Sequence, residues 1–321
     1  LALQRRTPII GVDDPGEPGA DAGMAALAGF AGVLSRKVRA SGVVPQLSVV
    51  TGARPGGETC SAALADFVFT AAGMGGGAHF RAADEAGCWR AVRALLSYLP
   101  AHAGESPPFA PADDPHDRAE PELQALAAGG PGAYDVREVV PALLDDGRLL
   151  EVQPHFAGSL LVGFGRLGGH AVGMVANQPG VLARALDAGE CAKAARFVRT
   201  CDAFNVPLVS LVGGPGFPAG AAGRAAAQLV YACGEAAVPR LAVIARSDPG
   251  VLWSRRLGAD LVLAWPGAVI GGVDVYAAAE RGAVDAVIEP RETRRALVRG
   301  LELCLRKTVE RPAGRHGNIP L

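Results

Sequence analysis

One stretch of this chain is written twice. Val44-Pro45-Gln46-Leu47-Ser48-Val49-Val50 reads as a buried strand, Pro55-Gly56-Gly57 as a turn, and Asp66-Phe67-Val68-Phe69 as a second apolar strand. At a constant offset, Val238-Pro239-Arg240-Leu241-Ala242-Val243-Ile244, Pro249-Gly250 and Asp260-Leu261-Val262-Leu263 repeat the order and the spacing. A strand–turn–strand unit that returns in register predicts a duplicated fold. A glycine turn after a buried strand lets backbone N–H groups approach a ligand, because no Cβ stands in the way. The chemistry is therefore expected in these two turns.

A chain of 321 residues has room for two domains, each with a core of its own. A net charge of -1 argues against a nucleic-acid footprint or a polybasic membrane patch. The cysteines, at 60, 88, 191, 201, 233 and 304, form no C-x-x-C pair. That spacing gives neither zinc ligation nor a disulfide framework, so no metal is expected and a reducing cytoplasm is. No apolar run is long enough to span a bilayer and no signal peptide is visible, although the chain opens on Leu1 rather than Met.

Around the repeat the chain alternates strands and helices. Thr7–Val12 reads as a strand ending at Asp13-Asp14-Pro15-Gly16, and Met24, Leu27, Ala31, Leu34 and Val38 give a helical stripe. Trp89, Val92, Leu95, Leu96 and Leu99 give another, before a proline-rich linker from Pro100 to Pro121. The domains are placed at 1–122 and 123–321. In the second, Ser159–Arg166 and His170–Ala176 predict a hairpin about Leu167-Gly168-Gly169. Helix Ala188–Phe204, strand Pro207–Val212 and an Ala-rich helix to Ala237 lead to the repeated unit, and Val273–Arg281, Ala286–Ile288 and Thr293–Lys307 close the chain as helix, strand and helix.

Familiar motifs fail on context. Gly163-Phe164-Gly165-Arg166-Leu167-Gly168 fits G-x-G-x-x-G by letter, but it lies in a hairpin instead of between a strand and a helix. There is no P-loop. The six histidines have no metal-binding spacing, and most read as solvated loop residues. Cys60 has no histidine in recognisable relation to it, and Asp13-Asp14 reads as a turn or cap. Gly73–Gly77 reads as a plain connection.

What survives is a site made of backbone. A thioester carbonyl held by two N–H donors can lose or receive an α-carboxyl group through an enolate whose oxygen sits in an oxyanion hole. Such a reaction asks for no titratable side chain.

At this point the residues resemble a known family. Gly163–Arg166 with His170-Ala171-Val172-Gly173-Met174-Val175-Ala176-Asn177-Gln178-Pro179, Ala195–Arg199 with Cys201-Asp202-Ala203-Phe204-Asn205, and Gly258–Pro266 are similar to the carboxyltransferase (beta) subunits of biotin-dependent acyl-CoA carboxylases, close to the propionyl-CoA type. The terminal Asn318–Leu321 matches as well. The resemblance implies an α/β fold of two tandem crotonase-like ββα-spiral halves, the first shortened at its beginning. It implies a homo- or hetero-oligomer, an acyl-CoA or acyl-carrier-protein thioester as substrate, and biotin on a biotin carboxylase or carrier partner. The Gly56–Gly57 turn would hold the thioester carbonyl. Gly250, Val251 and Leu252 would hold the biotin ureido oxygen, and Pro15, Gly16, Gly19, Pro215, Gly216 and Phe217 would line the substrate.

The departures concentrate on the biotin side, with one near CoA, where Asp14-Pro15-Gly16-Glu17-Pro18-Gly19-Ala20 replaces a Ser-Gly-Gly-Ala-Arg loop. Ser247-Asp248-Pro249-Gly250-Val251-Leu252 replaces an aromatic–Gly–Gly–Ala loop, and Ala219–Ala227 replaces a Gly-Thr-x-x-Glu segment. Connections near Ala72–Gly77 and Ile270–Val273 are shorter. Two alternatives to carboxyl transfer stay open: a biotin-independent decarboxylase of malonyl or methylmalonyl thioesters, and a non-catalytic partner subunit of an acyl-CoA carboxylase complex.

Overall fold

The computed structural model describes residues 1–13, 23–51, 60–71, 77–128, 135–178, 186–214, 223–246 and 250–310. The chain divides into two compact units. The first comprises Leu1–Pro108 with Val152–Phe156 and Ala203–Asn205; the second comprises Phe109–Glu151, Ala157–Asp202 and Val206–Leu321. The sequence reading divides the chain at 122/123 instead. Residues from 109 onward go with the second unit because the linker is tied there: Phe109 packs edge-on against His170, and Ala110 N–H donates to Gly169 O at 3.0 Å.

The first unit runs α1 (Ala2–Arg5), β1 (Ile9–Asp13), α2 (Gly23–Ala40), β2 (Gln46–Val50), α3 (Cys60–Ala63), β3 (Phe67–Ala71), β4 (Phe80–Ala82) and α4 (Glu85–Leu96). Its four strands form one parallel sheet in the order β1-β2-β3-β4. β2 is buried along its whole length, the continuous apolar pattern of a strand covered on both faces.

Apart from Val152 and Ala203, the last residues of β5 and α7, the second unit contains α5 (Pro121–Ala128), α6 (Val136–Leu143), β5 (Leu150–Val152), β6 (Leu160–Leu167), β7 (His170–Asn177), α7 (Ala188–Ala203), β8 (Leu208–Val212), α8 (Gly223–Glu235) and β9 (Arg240–Ile244). Two 3-10 turns, Gly250–Trp253 and Arg255–Leu257, lead to β10 (Leu261–Ala264), β11 (Val269–Ile270), β12 (Val273–Asp274), α9 (Val275–Glu280), β13 (Ala286–Val287) and α10 (Thr293–Cys304). The sheet order is β13-β10-β9-β8-β7-β6-β5, with β6 and β7 antiparallel and the pairs from β7 to β13 parallel.

The repeat holds residue for residue. Leu47 pairs with Phe67 and Leu241 with Leu261; Phe69 pairs with Phe80 and Leu263 with Ala286. Each copy starts its strand the same way. Proline lacks an N–H, so it sits just before the strand and only accepts: Ile9 N–H donates to Pro45 O, and Leu208 N–H to Pro239 O, both at 2.8 Å. Each copy then closes with an aspartate. The Asp66 carboxylate accepts Gln46 N–H at 2.8 Å, and the Asp260 carboxylate accepts Arg240 N–H at 2.8 Å.

The hairpin at Gly168 and Gly169 forms as expected, with left-handed φ of 57° and 84° at its tip. The glycines of the false dinucleotide motif serve packing. A Cβ on Gly163 would meet Leu150 O at 2.7 Å, and one on Gly165 would meet the Leu144 side chain at 2.5 Å. The expected helix Val273–Arg281 starts two residues late, because Asp274 caps it by accepting the N–H groups of Tyr276 and Ala277 at 2.9 and 3.1 Å. Val273 and Asp274 pair instead with β11. The strands β4, β5, β11 and β12 escape a reading based on apolar runs, since each has three residues or fewer.

Candidate functional site

Parallel strands carry binding loops at their carboxyl ends. Every candidate turn follows such an end in its own unit. Residues 14–22 follow β1, 52–59 follow β2, 215–222 come after β8, and 247–249 come after β9. Pro15, Gly16, Gly19, Gly56, Gly57, Pro215, Gly216 and Phe217 lie outside the described residues. So do Ser247 to Pro249 and most of Gly73–Gly77, and of Cys60 only the backbone is described.

Gly250, Val251 and Leu252 are described, and they open the turn Gly250–Trp253. Gly250 has φ +63°, a conformation glycine adopts without strain. Val251 is 58% exposed and Leu252 fully buried, so the turn is anchored at one residue and open at the one before. Its carbonyls are engaged: Leu252 O accepts from Arg240 Nη2 at 2.8 Å, and Val251 O from Ser254 Oγ at 2.8 Å. In a right-handed turn the N–H groups point opposite to the carbonyls. Held carbonyls therefore set the direction of the amides.

A shallow depression with room for about one water molecule adjoins this turn, lined by Leu160, Val175, Asn177, Leu211, Val212 and Trp253 among others. Asn177, at the carboxyl end of β7, is buried, and its Oδ1 accepts Gly213 N–H at 2.7 Å. It thereby fixes the start of the Gly213-Gly214 stretch that leads to Pro215. Sequence reading quoted Asn177 in a motif but gave it no role; an amide side chain at the end of a buried strand was the available signal.

The titratable groups described here serve structure. At the N-terminus of α7, Asp187 and Glu190 form a reciprocal capping box, with bonds of 2.7 and 3.0 Å. Lys193 on the same helix is buried and donates to Leu160 O at 2.7 Å. Burial, with Arg137 adding to it, pushes its ammonium down to about 8. Burial raises the Cys191 thiol to about 11, and raises Cys201 and Cys233 as well. These thiols are core residues, not nucleophiles. Two of the six histidines are buried: His79 Nδ1 accepts Val68 N–H at 3.0 Å, and His102 Nδ1 accepts Gly104 N–H at 2.9 Å. Asp13 acts at its strand end by accepting the Ser48 hydroxyl. Among the described residues no His, Cys, Asp and Glu cluster is placed to hold a metal ion, and no helix is long and apolar enough to cross a membrane.

The profile of the carboxyl transferase domain matches residues 1–75 and 71–274. The two segments meet where the sequence reading put a shortened connection. The propionyl-CoA carboxylase beta chain of Roseobacter denitrificans is 36% identical over 397 aligned positions, covering 100% of this chain and 78% of that protein. The aligned stretch is longer than this chain, so the relative carries insertions within it. The methylmalonyl-CoA decarboxylase subunit alpha of Veillonella parvula is 34% identical, covering 100% of this chain and 77% of its own length. Among solved structures, the transcarboxylase 12S hexamer with methylmalonyl-coenzyme A and methylmalonic acid bound superposes with a TM-score of 0.93 at 32% identity, covering 100% of this chain and 77% of that one. The duplicated parallel units are the crotonase-like fold that the resemblance implied, and the chain belongs to the carboxyl transferase domain family of acyl-CoA carboxylases and decarboxylases.

Proposed function

We propose that this chain moves a carboxyl group to or from the α-carbon of a short acyl thioester, propionyl/methylmalonyl-CoA or acetyl/malonyl-CoA. The first turn, at Gly56 and Gly57, takes the thioester carbonyl. When the α-carboxyl group leaves as CO2, the electrons of the broken C–C bond pass into the thioester enolate. Two amide donors on that oxygen stabilise it more than they stabilise the neutral carbonyl, which is how they lower the barrier. The enolate carbon then takes up a proton; in the reverse direction the α-carbon would give its proton to the ureido nitrogen that has released CO2, and the enolate would attack that CO2.

Biotin, carried on a partner protein, would take up or deliver the carboxyl group through its ureido nitrogen. Gly250, Val251 and Leu252 would hold its ureido oxygen. The carrying observation is the in-register duplication, in which the same strand pair with the same aspartate closure flanks a glycine-bearing stretch of sequence in each unit. The chain would work in an oligomer, as transcarboxylase 12S does in its hexamer, with a biotin carboxylase or carrier subunit as further partner.

A second reading has its own support. The kinship to a methylmalonyl-CoA decarboxylase subunit supports decarboxylation, and the altered second turn, Ser247–Leu252, is what favours running it without biotin. A single assay separates the two. The protein is given methylmalonyl-CoA or malonyl-CoA, with and without a biotinylated carrier, and CO2 release is measured. Release that depends on the carrier supports carboxyl transfer; release without carrier or ATP supports the decarboxylase. Gly57→Val should abolish both, because the branched side chain would enter the carbonyl pocket. Normal turnover by that variant would remove the first turn from the mechanism.

A further inference from the structure

Each unit ties the segment that follows its glycine turn to the unit's base through one cation. In the second unit the cation is Arg240, the first residue of β9 and only 3% exposed. Its Nη1 donates to Cys233 O at 2.6 Å and to Leu257 O at 2.5 Å, and its Nη2 donates to Leu252 O at 2.8 Å. These carbonyls come from the last turn of α8, from the Gly250–Trp253 turn and from the Arg255–Leu257 turn. All lie at the negative ends of short or long helical segments. A guanidinium is a planar fork, so it holds its acceptors in one plane and resists their rotation. Burying one on backbone carbonyls is costly, and it is compensated only where those carbonyls are kept in place.

The duplicated position in the first unit is Gln46. Its backbone keeps the aspartate bond seen at Arg240, and its Nε2 reaches Lys37 O on α2 at 2.9 Å, as Arg240 reaches α8. The shorter amide goes no further, and its Oε1 is buried without a hydrogen-bond partner among the described residues. The remaining tie is made by a different residue: Lys37 Nζ donates to Ser61 O at 2.7 Å, in α3, the first described element after residues 52–59. The two copies reach the same arrangement with different side chains. A tie that is rebuilt after the residues have diverged points to a requirement on the turn, not to inheritance of one contact.

We infer that Arg240 and Lys37 are positioning residues, each fixing the orientation of the segment that follows its unit's glycine turn. Arg240 holds the peptide plane between Leu252 and Trp253, and with it the last turn of the Gly250–Trp253 segment. Which ligand each turn serves rests on the function proposed above. The positioning itself does not.

The test uses the full chain in its complex, with Arg240→Gln, Arg240→Lys and Lys37→Met. Hydrogen exchange is read at residues 250–254 and 60–63. The second-turn readout is kcat/KM for a biotinylated carrier. The first-turn readout is the Kd of a CoA thioether bearing a nitronate, which mimics the enolate oxygen. Arg240→Gln should speed exchange at 250–254 selectively and lower carrier kcat/KM by about 100-fold, the cost of a displaced reacting geometry, with a much smaller change in nitronate Kd. Lys37→Met should reverse the ratio and speed exchange at 60–63. Arg240→Lys, which can still meet one carbonyl, should recover part of the loss. Unchanged exchange at both segments would overturn the proposal. So would a uniform loss of both readouts with a fall in Tm and exchange raised everywhere, which is plain destabilisation. Selective exchange at 250–254 with the loss falling on nitronate binding would keep the positioning role and overturn the assignment of biotin to the second turn.

Discussion

Asp145→Ala should destabilise the second unit by about 4–5 kcal/mol, and the figure follows from what the carboxylate holds. Asp145 is 4% exposed, just beyond the C-terminus of α6. One oxygen accepts Arg294 Nη2 at 2.6 Å and Gly168 N–H at 3.0 Å, while the other accepts Gly169 N–H at 2.7 Å. Arg294 has no exposed surface; its Nη1 donates to Leu143 O at 2.8 Å, and its Nε finds no acceptor among the described residues. Asp114 stands 3.5 Å from Nη2 but is already engaged by Arg118. Removing one partner of a buried pair costs about 3–5 kcal/mol. Two amides of the hairpin tip are orphaned at the same time, at about 1–3 kcal/mol each, and these terms overlap because they share one carboxylate.

Thermal and urea unfolding of Asp145→Ala measure the loss directly, with a Tm shift on the order of 10 °C for a unit of this size. The double variant with Arg294→Met should cost less than the sum of the singles, since the stranded cation goes with its partner. Acid adds an independent check. Burial acts to raise the Asp145 carboxyl, but the Gly169 N–H and Arg294 outweigh it and hold the group below the usual carboxylate range. The folded state then binds fewer protons than the unfolded one below about pH 4, so this stability is present above that pH and is lost as the pH falls through the lowered folded value. Asp145→Asn should flatten that acid limb. A loss under about 1 kcal/mol for Asp145→Ala, with the acid limb unchanged, would refute the reasoning.

Other sites give sharp outcomes. Gly163→Ala should cost about 2–3 kcal/mol and release β5, because the added Cβ meets the backbone at Leu150 O and Glu151 Cα, which cannot rotate away; wild-type urea midpoints would contradict this. Asp66→Ala and Asp260→Ala should each cost about 1.5–3 kcal/mol, the range for a hydrogen bond to a charged acceptor, and equal exchange rates at Gln46 and Arg240 amides in wild type and variant would argue against the closure. Lys193 binds its proton less readily folded than unfolded, so between about pH 8 and about pH 10 the wild type should gain stability relative to Lys193→Met; a difference that stays flat over that range would mean the ammonium is not buried in solution.

The duplicated strands were legible because β2, β3, β9 and β10 are short apolar runs bounded by Pro and Gly, and because an offset that survives in sequence survives in register. Strands of two or three residues, such as β4 and β13, are held by their neighbours rather than by their own composition, and only β13 stood out. Residues that steer a site through others were harder to see. Gln46 and Arg240 occupy one position of the repeat, and their letters differ in charge and length while their backbone bonds agree. Read as letters, the difference looks like drift on a strand. Read with Lys37 and Ser61 beside it, it is a trade: one unit reaches past its helix with a long guanidinium on the strand, the other with an ammonium on the helix. Two copies that share a strand register but make the tie with different side chains have the placement of the turn in common, and the sheet alone does not determine that placement.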